Sequence, residues 1–391
     1  MDLDNKNSAT SCLTLCAQYG YPAAGLSASE QCLCGDVADL SQNGVKDAPE
    51  GDCSMKCSGA QDYVCGGRNR TSYYRWKGDL NTWHTPRNTG KYEFLVGGVV
   101  VPLIATLATN NKITLVEKEG TGPANTTGAY ELDVSLAGDF KRAWRTMNVK
   151  SDVFCSGSLT LPDKVGRQIN VGGWSRDSLY GVRLYWPDGS PGKESKNDWQ
   201  EDYNELRLQR GRWYPGALIM TNGSILIVGG SDGLDGPPED TLEILPKPAG
   251  GSTLVKLDWL ERTDPYNLYP FLHVLPGGGI LVLYYNEARI LDERTFATTK
   301  VLPNIPGIIN ETTAGRNYPM EGSAVLLPQY APYTDPITVM TCGGATRKGI
   351  ALDNCASIQP EVPNAQWLIE RMVSMLGHLC LILTILTSFH H

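Results

Sequence analysis

The sequence is poor in charge. Only 19 % of its 391 residues are Asp, Glu, Lys or Arg, and they balance to −8 at pH 7. No basic face is available to displace counterions from phosphate, so nucleic acid is excluded as a partner. The balance leaves neutral substrates such as sugars or small carbonyl compounds open. Histidine is scarce too: there are five, and no Tyr-His dipeptide occurs anywhere. No apolar run follows Met1, because Asp2, Asp4 and Asn5 come at once, so no secretory leader is visible. The longest apolar stretch, from Met375 to Phe389, falls short of the roughly 20 residues of a bilayer span.

Turn formers are plentiful, with 42 Gly and 24 Pro, and β-branched and aromatic runs lie between them. At roughly 150 residues per domain the chain holds two or three domains, mostly β. Seven of eleven cysteines crowd into one stretch, at Cys12, Cys16, Cys32, Cys34, Cys53, Cys57 and Cys65. That density reads as a disulfide framework in an oxidising compartment, and the lack of His and of Cys-x-x-Cys pairs argues against zinc. Four Asn-x-Ser/Thr triplets, at Asn69, Asn125, Asn222 and Asn310, agree with export to a secreted or cell-wall location. Seven is odd, so one thiol of the module has no partner within it. With the missing leader, this leads us to expect an N-terminus that is cut short.

Past a polar connector, an apolar strand, a tight turn and a second apolar strand recur, often followed by Gly-Gly. The pairs at 172–173, 229–230 and 343–344 lie 57 and 114 residues apart, one and two steps of a single period. One step earlier lies Leu115, inside Lys112–Val116. Such a period, all β, is that of a kelch-type propeller blade; a β-sandwich with coincidental glycine pairs is the competing reading. About five blades are visible, and the next step passes the last residue, so an incomplete propeller is expected. Residues 373–391 have neither turn nor Gly pair and read as a foreign tail, with a short membrane anchor as the alternative. Cys155 lies 17 residues before its glycine pair and Tyr214 lies 15 before the next. Both therefore open the equivalent strand of neighbouring blades and should converge if that strand is innermost. Tyr269 and Tyr318 stand in similar Tyr-Pro contexts, so a blade-building role for such tyrosines competes with a chemical one. His273 reads as a satisfied core histidine. Cys342 and Cys355 are expected to pair across a turn.

Two stretches resemble known families. Cys12-x3-Cys16, Cys32-Leu-Cys34-Gly35, Cys53-x3-Cys57-Ser-Gly59 and Cys65-Gly-Gly67 are similar to a WSC domain whose first cysteine is absent. The resemblance implies binding to cell-wall polysaccharide, with Tyr21, Tyr63, Tyr73 and Tyr74 as candidate sugar-stacking rings. Ser151-Asp-Val-Phe-Cys-Ser-Gly157, Asn170–Gly173, Arg212-Trp-Tyr-Pro215, Leu268–His273, Arg316-Asn-Tyr-Pro319 and Thr341–Gly344 resemble the glyoxal oxidase branch of the copper radical oxidases. That resemblance implies a thioether between Cys155 and Tyr214 that carries a radical and, through Tyr214, ligates copper. It further implies oxidation of a small aldehyde to the acid while O2 becomes H2O2. The expected layout is a WSC module at 1–76, a linker at 77–92, an incomplete propeller at 93–372 and the unmatched tail. The family's adjacent Tyr-His ligands and distal His have no counterpart, so the chain is expected to lack half of the copper site and to be inactive as it stands. A non-catalytic, wall-binding protein with a propeller scaffold is the competing class.

Overall fold

The computed structural model describes residues 3–18, 21–37, 40, 45–77, 92–121, 128–234, 236–307, 313–329 and 335–372. All but the ends of the linker, the whole tail, and the triplets at Asn125 and Asn310 lie outside the described residues. The chain divides into two compact units, one of residues 1–89, 303–316 and 322–391, the other of residues 90–302 and 317–321.

In the first unit, helix α1 (Ala9–Gln18) packs on a sheet in which β1 (Ala23–Ser27) lies between β2 (Gln31–Gly35) and β5 (Ser72–Arg75). Residues four apart on a helix and two apart on a strand each share a face. Cys12 and Cys16 of α1 thus meet Cys32 and Cys34 of β2, and the bonds run 12–32 and 16–34. The hairpin of β3 (Lys56–Cys57) and β4 (Ala60–Val64) is closed by Cys57–Cys65. Sulfur supplies much of this small core, with Leu26 and Ala24, while Cys53 is left unbonded.

The second unit holds antiparallel sheets whose strands neighbour one another in chain order: β6 (Ile104–Leu107) to β9 (Trp144–Asn148) by way of β7 (Lys112–Val116) and β8 (Gly128–Asp133); then β10 (Gly157–Thr160), β11 (Gln168–Val171) and β12 (Val182–Tyr185). Next come β13 (Gly216–Ile219), β14 (Ile225–Val228), β15 (Thr241–Leu245) and β16 (Val255–Lys256), followed by β17 (Phe271–Val274), β18 (Ile280–Tyr284), β19 (Glu287–Leu291) and β20 (Thr298–Val301). A fifth sheet, β21 (Ser323–Leu326), β22 (Val339–Cys342), β23 (Asn354–Ile358) and β24 (Leu368–Arg371), belongs to the first unit. These are five propeller-blade sheets in the positions the repeat marks out.

The continuous apolar run of β14 has a direct cause. Ile225 and Ile227 face the core shared with β11 and β12, while Leu226 and Val228 face the core shared with β17–β19. A strand buried on both faces needs no polar alternation. The first strands of successive sheets press together: a Cβ on Gly216 would stand 2.6 Å from the Pro270 carbonyl oxygen. Only glycine fits there.

The glycine pairs are held by buried arginines. Arg212 Nη1 donates to Gly229 O at 2.8 Å and its Nε to Glu243 at 2.7 Å, both side chains fully buried. Arg183 Nη1 donates to Gly172 O at 2.6 Å, and in the first unit Arg316 Nη1 donates to Gly343 O at 2.5 Å. Each of these glycines has φ near +70°, where a side chain would be strained. Cys342 and Cys355 face each other directly across β22 and β23 and are bonded.

Candidate functional site: a sulfur among stacked rings

Cys155, Tyr214 and Tyr269 each stand two residues before the first strand of their sheets, and each has positive φ, at 57°, 63° and 50°. The left-handed region costs a residue with a side chain about 1–2 kcal/mol. The surroundings hold it in place: Tyr214 N donates to Cys155 O and Tyr269 N donates to Tyr214 O, both at 2.9 Å. This backbone ladder turns three consecutive strand heads toward one another, and strain at one place in a repeat is a reason to look for chemistry there.

The side chains meet accordingly. The Tyr214 ring lies between Trp213, with centroids 4.3 Å apart, and Tyr318, stacked at 4.4 Å and 16°. The Tyr214 and Tyr318 hydroxyls are 3.1 Å apart, and Tyr269 meets Tyr214 edge-on at 5.3 Å. Leu179 and Leu268 close the cluster, with Phe154 and Trp174 beside it. Burial pushes the Cys155 thiol up, offset in part by the Tyr214, Trp213 and Tyr269 side chains close to the sulfur. Burial, then the hydrogen bond to Tyr318, then Cys155 raise Tyr214 far above the ordinary phenol range. At neutral pH the sulfur and the phenol both keep their protons. The ring faces flanking Tyr214 carry the negative side of their quadrupoles, which favours an electron-poor state of the ring between them.

Sequence reasoning brought Cys155 and Tyr214 to one place but gave Trp213 and Tyr318 no role toward them. Tyr269 is the repeat counterpart of Tyr214. Tyr318 is not, because Glu321 occupies that position before β21. The repeated Tyr-Pro was the available signal, and it does not distinguish these two placements.

The sugar-stacking candidates separate. Tyr63 on β4 is 65 % exposed and Tyr73 on β5 is 39 % exposed. Tyr74 packs on the module's core, as does Tyr21, whose ring also lies 4.7 Å below the Arg371 guanidinium. Arg371 in turn pairs with Asp36 and Asp353 of the same unit. Asn69 and Asn222 sit at exposed turns. His273 on β17 is not satisfied: its Nε2 is buried without a partner among the described residues, and burial lowers its pKa to about 4.

Copper(II) in an N/O site favours imidazole donors in a tetragonal arrangement. Among the described residues His273 is the only histidine, and the only metal-capable cluster of His, Cys, Asp or Glu is Cys12, Cys16 and Cys32, which are consumed in disulfides. The phenols and the thiol at the strand heads do not by themselves fit the ion.

Residues 129–382 match the family model described as glyoxal oxidase N-terminus, and residues 2–67 match the WSC domain. The chain belongs to the glyoxal oxidase N-terminus family. It is 59 % identical over 372 residues to a WSC domain-containing protein of Arthroderma benhamiae, covering 94 % of this chain and 40 % of that protein. It is 31 % identical over 237 residues to the aldehyde oxidase GLOX of Vitis pseudoreticulata, covering 58 % of this chain and 42 % of that one. This glyoxal oxidase-family chain therefore spans about two fifths of the length of these curated relatives. A fungal alcohol oxidase of the AA5 family, solved in complex with copper, shares the fold at a TM-score of 0.50 and 16 % identity, over 72 % of this chain and 56 % of that one.

Proposed function

We propose that the chain is part of a secreted copper radical oxidase of the glyoxal oxidase type, which converts aldehydes, as their hydrates, to carboxylic acids while O2 becomes H2O2. In this reading the WSC module holds the enzyme on cell-wall polysaccharide. The observation that carries it is the Cys155 sulfur packed beside the buried, stacked ring of Tyr214 at adjacent strand heads. Family membership and the aldehyde oxidase relative support it.

The chemistry assigned to these residues is a cross-link. A bond forms between Cys155 Sγ and a ring carbon of Tyr214 next to the hydroxyl. The thiol and ring hydrogens leave as two protons and two electrons, and O2 accepts both to give H2O2. Trp213 and Tyr318 hold the ring in plane, and the Tyr214 hydroxyl donates to Tyr318 OH. With no imidazole gathered near these groups among the described residues, the chain as it stands is proposed to hold copper weakly and not to turn over.

The test is a peptide map after incubation with copper and O2, alongside a peroxide-coupled assay on methylglyoxal. A loss of two hydrogens joining the Cys155 and Tyr214 peptides, with no peroxide above the blank, is the expected pair of results. A map in which the Cys155 and Tyr214 peptides stay separate, or methylglyoxal-dependent peroxide from Cys155→Ser, would overturn the assignment. Exposure of Tyr63 and Tyr73 favours a second reading, a non-catalytic wall-binding protein, which a cross-link-free map with retained polysaccharide binding would select.

A further inference from the structure

The first sheet of the second unit lines a polar cavity of about 470 Å3 that shares no residue with the sulfur–ring cluster. Its floor is a buried charge network. Lys112 of β7, 1 % exposed, donates from Nζ to Lys193 O at 2.5 Å and to Ser195 Oγ at 2.7 Å, and lies 3.6 Å from Glu131 and 3.8 Å from Asp133 of β8. The acceptors of that floor are already used. Glu131 Oε2 accepts from Tyr185 OH at 2.6 Å, Asp133 Oδ1 accepts from Ser135, and Asp133 Oδ2 accepts from Gly192 N at 2.8 Å.

Donors remain. Arg145 of β9 gives its Nε to Glu131 Oε1 at 3.3 Å, while its Nη2 is buried with no partner among the described residues. An unpaired buried donor costs about 1–3 kcal/mol, and more on a charged group, so the site favours a ligand that brings an acceptor. The short helix α2 (Phe140–Ala143) adds the exposed cations Lys141 and Arg142 to the lining. With Glu194 included, the lining carries four cations against three carboxylates, and two of those carboxylates are saturated. Trp144, pinned by its indole N–H to Gly97 O at 3.0 Å, forms a fixed wall.

We propose that this cavity binds a small carboxylate-bearing molecule of monosaccharide size, with Arg145 Nη2 as the buried donor and Lys141 and Arg142 closing on the anion. Charge-assisted bonds to an oxyanion are the stronger kind, and the volume falls within the range of small-ligand sites. The polar walls suit a hydroxylated frame, and a neutral sugar of equal size would offer Arg145 Nη2 only an uncharged acceptor. The inference is independent of the oxidase reading, since none of its residues enters that chemistry.

The test is calorimetric titration of the full chain with D-glucuronate, D-glucose and inorganic phosphate. D-glucuronate is expected to bind at least tenfold more tightly than D-glucose, and Arg145→Met to weaken it at least tenfold. Because Arg145 also contacts Glu131, the exposed double variant Lys141→Gln with Arg142→Gln provides a check that leaves folding alone, with a several-fold loss expected. Equal binding of the two sugars, no binding of D-glucuronate, tighter binding of phosphate, or unchanged affinity in the double variant would each overturn the proposal.

Discussion

His273 and Cys155 are both polar groups in apolar surroundings, and both give measurable consequences. The imidazole has a folded-state pKa of about 4 against 6.5 in an open chain. Between those values the unfolded chain binds a proton that the folded one does not, so stability is complete above pH 6.5 and falls as pH drops toward 4. The loss is at most about 3–4 kcal/mol, since one pKa unit is worth about 1.4 kcal/mol. Urea midpoints at pH 7.5 and pH 5 should therefore diverge in the parent chain and draw together in His273→Leu. For Cys155, burial raises the thiol, and the thiolate is the nucleophile. Alkylation by iodoacetamide at pH 8, followed by peptide mapping, should label Cys155 much more slowly than the other unbonded cysteine among the described residues, Cys53. Labelling of Cys155 at the faster rate would contradict its packing against the ring cluster.

At the level of the element, the repeat is a device of backbone geometry plus one buried cation. A glycine in the left-handed region ends the second strand, and an arginine fixes its carbonyl, as at Gly172, Gly229 and Gly343. Arg212 and Arg316 lie in the Arg-x-Tyr-Pro segments, whereas Arg183 reaches Gly172 from β12. The β17–β20 sheet lacks the pair, and Tyr284 and Tyr285 stand in its place. Breaking one partner of a buried ion pair costs about 3–5 kcal/mol because it strands the other charge. Glu243→Gln is therefore expected to lower the urea midpoint far more than the double change Arg212→Met with Glu243→Leu. Equal losses in the two variants would show that the pair acts through packing alone.

At the level of the molecule, the WSC module offers Tyr63 and Tyr73 to solvent and keeps Tyr21 and Tyr74 inside its unit. The binding to insoluble cell-wall polysaccharide proposed for the module should then fall about tenfold in a Tyr63→Ala, Tyr73→Ala double variant, read by depletion from the supernatant. Tyr21→Phe should leave depletion unchanged, because its ring packs under Arg371. The opposite ranking would rule out Tyr63 and Tyr73 as the proposed glycan surface.

Periodic features were legible from residue order. Strand alternation, turn glycines and the cysteine spacings act over a few residues, so they mark the five sheets, the disulfide-rich module and the equivalent places of Cys155 and Tyr214 without any knowledge of packing. What they leave undetermined depends on contacts between distant segments. Tyr318, 104 residues from Tyr214, completes its stack; Arg145 keeps one nitrogen unpaired beside a saturated floor; and His273 has no partner for a ring nitrogen. Such contacts are fixed by how sheets press against one another and which polar atoms are left over once they do. No local pattern encodes that, and the tertiary structure alone decided it.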